Sequence, residues 1–229
     1  MQQGLVLDRV VLLGRTFDEY VRFFALDPAA LRGQAILDVA GGVSSFTAEA
    51  AARGLEATAF DPIYDQPWEA IRDRCEPDLA DVAARIGQVS TYKWEGYGSP
   101  ENMRRLREQA YRVFLEDYRR AGGRRYVPGR LPRLPFADRQ FDLTLVSYLL
   151  FVYEHRLDYA FHRDSLREIL RVTRGEARFY PLVNFEAQRC RHLDLLRADP
   201  VFAGIRFEEV RTDFEFLVGS NYYLRAWRP

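Results

Sequence analysis

Two acids and the small residues between them are the part of this chain best suited to chemistry. Asp38 interrupts the apolar run Ile36-Leu37-Asp38-Val39, Ala40-Gly41-Gly42 follow directly, and a second apolar run ends at Asp61. Small residues after a buried strand let a ligand approach the backbone, and a following helix presents unpaired N–H groups to it. An acid at the end of the next strand, roughly 20 residues on, is placed to grip ribose hydroxyls. Strand, turn, helix and strand-end acid make half of a dinucleotide-type site and predict an adenosine-containing cofactor.

Composition narrows the partners. The 229 residues suit one α/β domain carrying an elaboration. Basic and acidic residues balance at 33 each, so no overall attraction to nucleic acid or to a membrane surface is expected. Lys93 is the only lysine, leaving arginine to carry the positive charge. Neither Cys75 nor Cys190 lies in a C-x-x-C or a Cys/His cluster, which argues against a disulfide framework and a metal site. No stretch approaches the ~20 apolar residues of a membrane span, and the opening residues lack a basic, apolar and cleavable pattern. A cytoplasmic location is expected.

The elements that must position the acids follow from periodicity. Leu5, Val6, Leu7, Val10, Val11 and Leu12 make an apolar opening, and Thr16 with Glu19 is a capping-box pattern that should start a helix through Phe24. Strands are expected at 35–40 and 56–60, with a helix over 44–53 ended by Gly54. Between 63 and 123 the character turns helical: Pro67, Pro77 and Pro100 punctuate patterns over 67–75, 77–87 and 100–121, with the aromatic loop Tyr92, Trp94 and Tyr97 before the last. Strand signals return at 125–128, 141–147 and 177–183. Helices are expected from Asp164 or Ser165 and over 186–196, and strands at 205–210 and 221–227. Two final strands with no helix between them suggest an antiparallel hairpin closing a parallel sheet.

In this order the residues resemble the class I S-adenosylmethionine-dependent methyltransferases. D-V-A-G-G-V-S at 38–44 is similar to that family's D-x-G-x-G-x-G turn, and Asp61 matches its second acid. L-P-F-A-D-R-Q-F-D-L at 134–143 resembles the run leading into its fourth strand, and Y-Y-L-R-A-W at 222–227 its last antiparallel strand. The likeness spans about 14–62 and 124–229. Two positions depart: Ala40 and Ser44 replace the first and third glycines of the turn, and Arg130 stands where an acid often contacts adenine. Ala40 preserves close backbone approach if its φ is negative, and Ser44 can cap the helix. Arg130 cannot accept a hydrogen bond, which moves adenine recognition to the backbone or other groups.

The resemblance implies a single domain over 1–229, with a doubly wound, seven-strand, mostly parallel Rossmann-like sheet. A C-terminal antiparallel hairpin would close it; residues 63–123, outside the likeness, read from their own helical pattern as an insertion that would form a lid. S-adenosyl-L-methionine would be the cofactor and S-adenosyl-L-homocysteine its product. Asp38, Ala40, Gly41 and Gly42 would line the methionine and ribose side, Asp61 with Pro62 would hold the ribose, and Leu134, Ser147 and Tyr148 would complete the site. Arg15 and Tyr20 would reach the cofactor carboxylate, or be a surface arginine and a core tyrosine. Tyr148, Tyr153 and His155 are the candidates to orient or deprotonate an acceptor, with His162 a further possible proton acceptor. Tyr92, Trp94 and Tyr97 would face the substrate or fasten the extra helices. A small-molecule O or N acceptor is expected. The competing readings are a methyltransferase-like protein that binds without catalysis and a nicotinamide-dependent oxidoreductase, the latter weakened by the lack of G-x-G-x-x-G.

Overall fold

The computed structural model describes residues 10–87 and 89–229, so Leu5, Val6 and Leu7 lie outside the described residues. Its strands are β1 (Ala35–Val39), β2 (Glu56–Asp61), β3 (Tyr126–Pro128), β4 (Phe141–Ser147), β5 (Thr173–Tyr180), β6 (Arg206–Arg211) and β7 (Tyr222–Trp227). They form a seven-stranded sheet ordered β3-β2-β1-β4-β5-β7-β6. β7 runs antiparallel to both neighbours and the other pairs are parallel. This is the doubly wound sheet with a closing hairpin that the sequence predicts.

The helices are α1 (Phe17–Phe24), α2 (Phe46–Ala52), α3 (Trp68–Ile86), α4 (Pro100–Ala121), α5 (Tyr159–Val172) and α6 (His192–Ala198). Alternation along β1 shows why both faces are covered. Ile36 packs with Phe17, Tyr20, Phe24 and Phe46 of α1 and α2. Leu37 and Val39 point the other way, into Leu166, Ile169 and Leu193 of α5 and α6. Strands buried on both faces read as nearly continuous apolar runs. Fully burying a Phe or Leu side chain contributes about 1.5–3 kcal/mol. A third apolar cluster joins α3 and α4 to Val43, Ala59 and Tyr126 at the edge of the sheet.

The capping box forms as expected. Thr16 Oγ1 accepts from the Glu19 N–H, and the Glu19 carboxylate accepts from the Thr16 N–H at 2.8 Å. Other boundaries differ. Pro77 does not separate two helices but sits inside α3. Asp73, whose carbonyl loses its partner there, is exposed to water, while Ile71, Cys75, Leu79 and Val82 hold both halves on the core. α2 begins two residues later than expected, at Phe46. Asp158, rather than Asp164 or Ser165, caps α5 by accepting from the Phe161 N–H at 2.8 Å. The expected helix over 186–196 forms only from His192. Asn184 Oδ1 accepts from the Glu186 and Gln188 N–H groups and holds the preceding segment as a turn. Among the described residues, no helix is long and apolar enough to cross a membrane.

Candidate functional site

At the carboxyl end of β1 the chain turns through Ala40 (φ 60°) and Gly42 (φ 53°). The condition for close approach at Ala40, a negative φ, is therefore not met: an alanine occupies a left-handed position that costs it roughly 1–2 kcal/mol. The Ala40 N–H donates to the Phe60 carbonyl at 2.8 Å, which ties the turn to the end of β2. Gly41 is required by contact. A Cβ there would stand 2.8 Å from Asp38 Oδ2 and 2.9 Å from Tyr64 Oη. Ser44 Oγ accepts from the Phe46 N–H at 3.1 Å, so it does serve the first turn of α2, from one residue before the cap position.

Both acids are buried and differently employed. Asp61 accepts from the Gly42 N–H at 3.1 Å and the Ile63 N–H at 2.9 Å, which braces the turn against β2. Burial pushes its carboxyl up to about 6; the two N–H groups, with Arg74 and Arg130 nearby, work against that rise. Asp38 Oδ1 accepts from Tyr20 Oη at 2.9 Å, while Oδ2 is buried without a hydrogen-bond partner. Burial pushes Asp38 up to about 8, and the neighbouring Asp61 adds to the rise.

A cavity of about 300 Å³ opens over these strand ends. Of the residues singled out in the sequence, Arg15, Tyr20, Ala40, Gly41, Gly42, Asp61, Pro62, Tyr92, Ser147, Tyr148 and Tyr153 line it. It lies where β1 and β4 part company and the chain turns opposite ways, the usual position for a ligand on an open α/β sheet. Ser147 Oγ and Tyr148 Oη are buried there with no partner. Tyr148 also has a left-handed backbone, φ 51°, fixed by its N–H donating to the Tyr180 carbonyl at 2.8 Å. Unfavourable backbone thus stands at the ends of two of the strands that border the cavity, β1 and β4, a pattern common at binding sites.

Other candidates stand elsewhere. Asp38 lies behind the cavity wall and touches it through Tyr20. Leu134 is buried beneath β4, its N–H donating to Glu168, and is replaced in the wall by Leu131. His155 is exposed and outside the cavity. His162 is fully buried, its ring nitrogens 2.8 and 2.9 Å from the Asp158 and Leu150 carbonyls, so it holds a loop to α5. Trp94 packs edge-on against Phe216. Tyr97 turns away from the cavity and hydrogen-bonds to Glu19 and Arg107. The aromatic loop is therefore divided: Tyr92 reaches the cavity, and Tyr97 fastens the insertion to α1.

Several cavity residues carry no sequence signal of that role. Val82 and Ile86 arrive from α3, Phe185 from the turn after β5, and Phe216 from the loop before β7. Tyr64 supports the turn by donating to the Gly42 carbonyl at 2.8 Å. Its position three residues after Asp61 was the available clue.

A ligand with a ribose diol fits this site. Asp61 offers carboxylate lone pairs at the cavity wall, and Ser147 Oγ is buried there without a partner. No family model matches the chain. Among solved structures, the PH0226 protein of Pyrococcus horikoshii OT3 is 14% identical, with 93% of this chain and 91% of that one covered and a TM-score of 0.48. A SAM-dependent methyltransferase from Aquifex aeolicus is 13% identical over 91% and 90% of the two chains, with a TM-score of 0.42. Uncharacterized protein MJ0045 of Methanocaldococcus jannaschii is 35% identical over 222 residues, 96% of this chain and 97% of its own length. This chain belongs to the same protein family as MJ0045.

Proposed function

We propose that this protein transfers a methyl group from S-adenosyl-L-methionine to an oxygen or nitrogen of a small-molecule acceptor. The observation that carries the reading is the cavity at the ends of β1, β2 and β4, in which a glycine-containing turn and the buried Asp61 face the same space. When bound, the cofactor supplies a methyl group activated by a sulfonium. The protein's part is to hold and orient. Gly42, where a Cβ would meet no protein atom, admits the ligand against the backbone, Asp61 takes the ribose hydroxyls beside Pro62, and Ser147 donates from the end of β4. Leu131 gives an apolar wall near Arg130, where the resemblance would have an acid. Alignment of the two reactants and exclusion of water are the main catalytic contributions such a site can make.

The insertion between β2 and β3 acts as the cover. Val82, Ile86 and Tyr92 of the insertion contribute apolar and aromatic side chains to the cavity wall. Its loop is stitched to the segment before β7 by Lys93 N–H donating to the Phe216 carbonyl at 2.7 Å and Val218 N–H to the Thr91 carbonyl at 2.9 Å.

Calorimetric titration with S-adenosylmethionine, S-adenosylhomocysteine and NAD, in wild type and Asp61→Ala, tests the reading. Micromolar binding of both sulfur compounds that is lost in the variant is the expected result. Binding of NAD instead would replace the reading with an oxidoreductase. Cofactor binding with no turnover across a broad acceptor panel would favour a binding protein.

A further inference from the structure

The cavity has a second half whose side chains differ in kind from the half around Asp61. Val11, Val82, Ile86, Tyr92, Tyr153 and Phe216 line it and pack with the apolar cluster of α1. Among the described residues lining this half there is no carboxylate, histidine or cysteine. Its polar side chains are Arg15 and the phenols of Tyr92, Tyr148 and Tyr153. Burial pushes all three phenols up, Tyr153 to about 12, so they hold their protons and act as donors rather than bases.

Two donor atoms among these, one on Arg15 and one on Tyr148, have no acceptor. Arg15 spends one terminal nitrogen on the Leu13 and Gly14 carbonyls, at 2.7 and 3.3 Å, and its Nε is buried without a partner. Its guanidinium lies over the Tyr148 ring, 4.4 Å from the centroid, and Tyr148 Oη is likewise buried and unpartnered. Leaving two such buried donors unsatisfied is unfavourable, and a ligand accepting from both would remove that cost. The arginine is held in place from behind: its carbonyl accepts from the Ser45 N–H at 2.9 Å and from Ser44 Oγ at 2.8 Å.

We propose that this half binds an apolar, aromatic-sized acceptor through an oxyanion, a phenolate or carboxylate, with Arg15 Nε and Tyr148 Oη as its donors. The inference rests on the methyl-transfer reading and sharpens it to an oxygen acceptor. It also explains the lack of a base in this compartment. An oxygen that arrives as an anion would form the O–CH3 bond with its own electron pair as the methyl–sulfur bond breaks onto sulfur, leaving neutral S-adenosylhomocysteine, and no proton has to leave it.

The probe is 4-nitrophenol, whose anion alone is strongly coloured, with its uncharged O-methyl ether 4-nitroanisole as the comparison. Both are titrated into the protein with S-adenosylhomocysteine present, by absorbance and calorimetry. The expected result is a bound anion-to-neutral ratio about tenfold above that of free probe. The preference for 4-nitrophenol over 4-nitroanisole should fall about tenfold in Arg15→Met and less in Tyr148→Phe. A loss of fold would weaken both probes together, so the ratio separates the two causes, and Tyr148→Phe keeps the ring in place. Equal affinity for the two probes, or a preference that survives both substitutions, overturns the proposal. The S-adenosylhomocysteine titration reports separately. Binding of that compound without anion preference sinks the oxyanion site alone, and anion preference without it sinks the methyl-transfer reading while the site stands.

Discussion

Arg107 of α4 and Glu19 of α1 form an ion pair in which both side chains are almost fully buried, 2% and 5% exposed. The guanidinium also donates to the Gly14 carbonyl at 2.7 Å, and Glu19 accepts from Thr16 N–H and Oγ1 and from Tyr97 Oη. The insertion thereby grips the loop that carries Arg15 to the cavity. Burial alone would raise the Glu19 carboxyl, but Arg107, together with Arg15 and the Thr16 N–H, outweighs it and holds the group at about 2. Removing one partner strands a buried charge. Arg107→Met should cost about 3–5 kcal/mol in denaturant unfolding, and the double variant Arg107→Met/Glu19→Met should regain part of it.

Asp61 faces the cavity with a carboxyl pushed up to about 6. Ribose hydroxyls donate best to the ionised form, so affinity for S-adenosylhomocysteine should decline as pH falls through about 6. Asp61→Asn should bind at least about tenfold more weakly at neutral pH and lose that pH dependence. Calorimetry at a series of pH values checks both.

Asp38 should make the protein less stable at alkaline pH. Its carboxyl is raised from 3.8 to about 8, so its contribution is fully present below the unfolded value and is lost as pH rises through about 8. Asp38→Asn keeps an acceptor for Tyr20 Oη and never ionises. Its melting temperature should exceed that of wild type at about pH 8 by more than at about pH 5. Thermal melts of the two proteins across this range decide it.

Ala40 and Gly41 predict opposite outcomes for adjacent substitutions. Ala40→Gly relieves the left-handed φ and should stabilise by about 1 kcal/mol. Gly41→Ala drives a methyl toward Asp38 and Tyr64 and should destabilise by about 1–3 kcal/mol. Chemical unfolding of both variants measures the contrast.

The seven-strand doubly wound order came from the family resemblance, while local pattern was enough to place the strands, suggest the closing hairpin and identify the Thr16–Glu19 cap and the turn between Asp38 and Asp61. Each depends on short-range rules: alternation or continuity of apolar residues, small residues at turns, and a side chain that reaches three positions along a helix. Pro77 escaped those rules because a helix interrupted at one hydrogen bond survives when its apolar face is packed. Tertiary structure alone decided which polar groups share the cavity. His155 and Tyr153 are two residues apart, yet one points to solvent and the other lines the site. Tyr92 and Tyr97 share one loop, yet one reaches the cavity and the other the Arg107–Glu19 pair. Arg15 meets Tyr148, Tyr20 meets Asp38, and Phe216 closes over Tyr92 only after distant segments pack. The direction of a side chain in a loop is set by what the rest of the chain places against it, and spacing along the sequence carries no record of that.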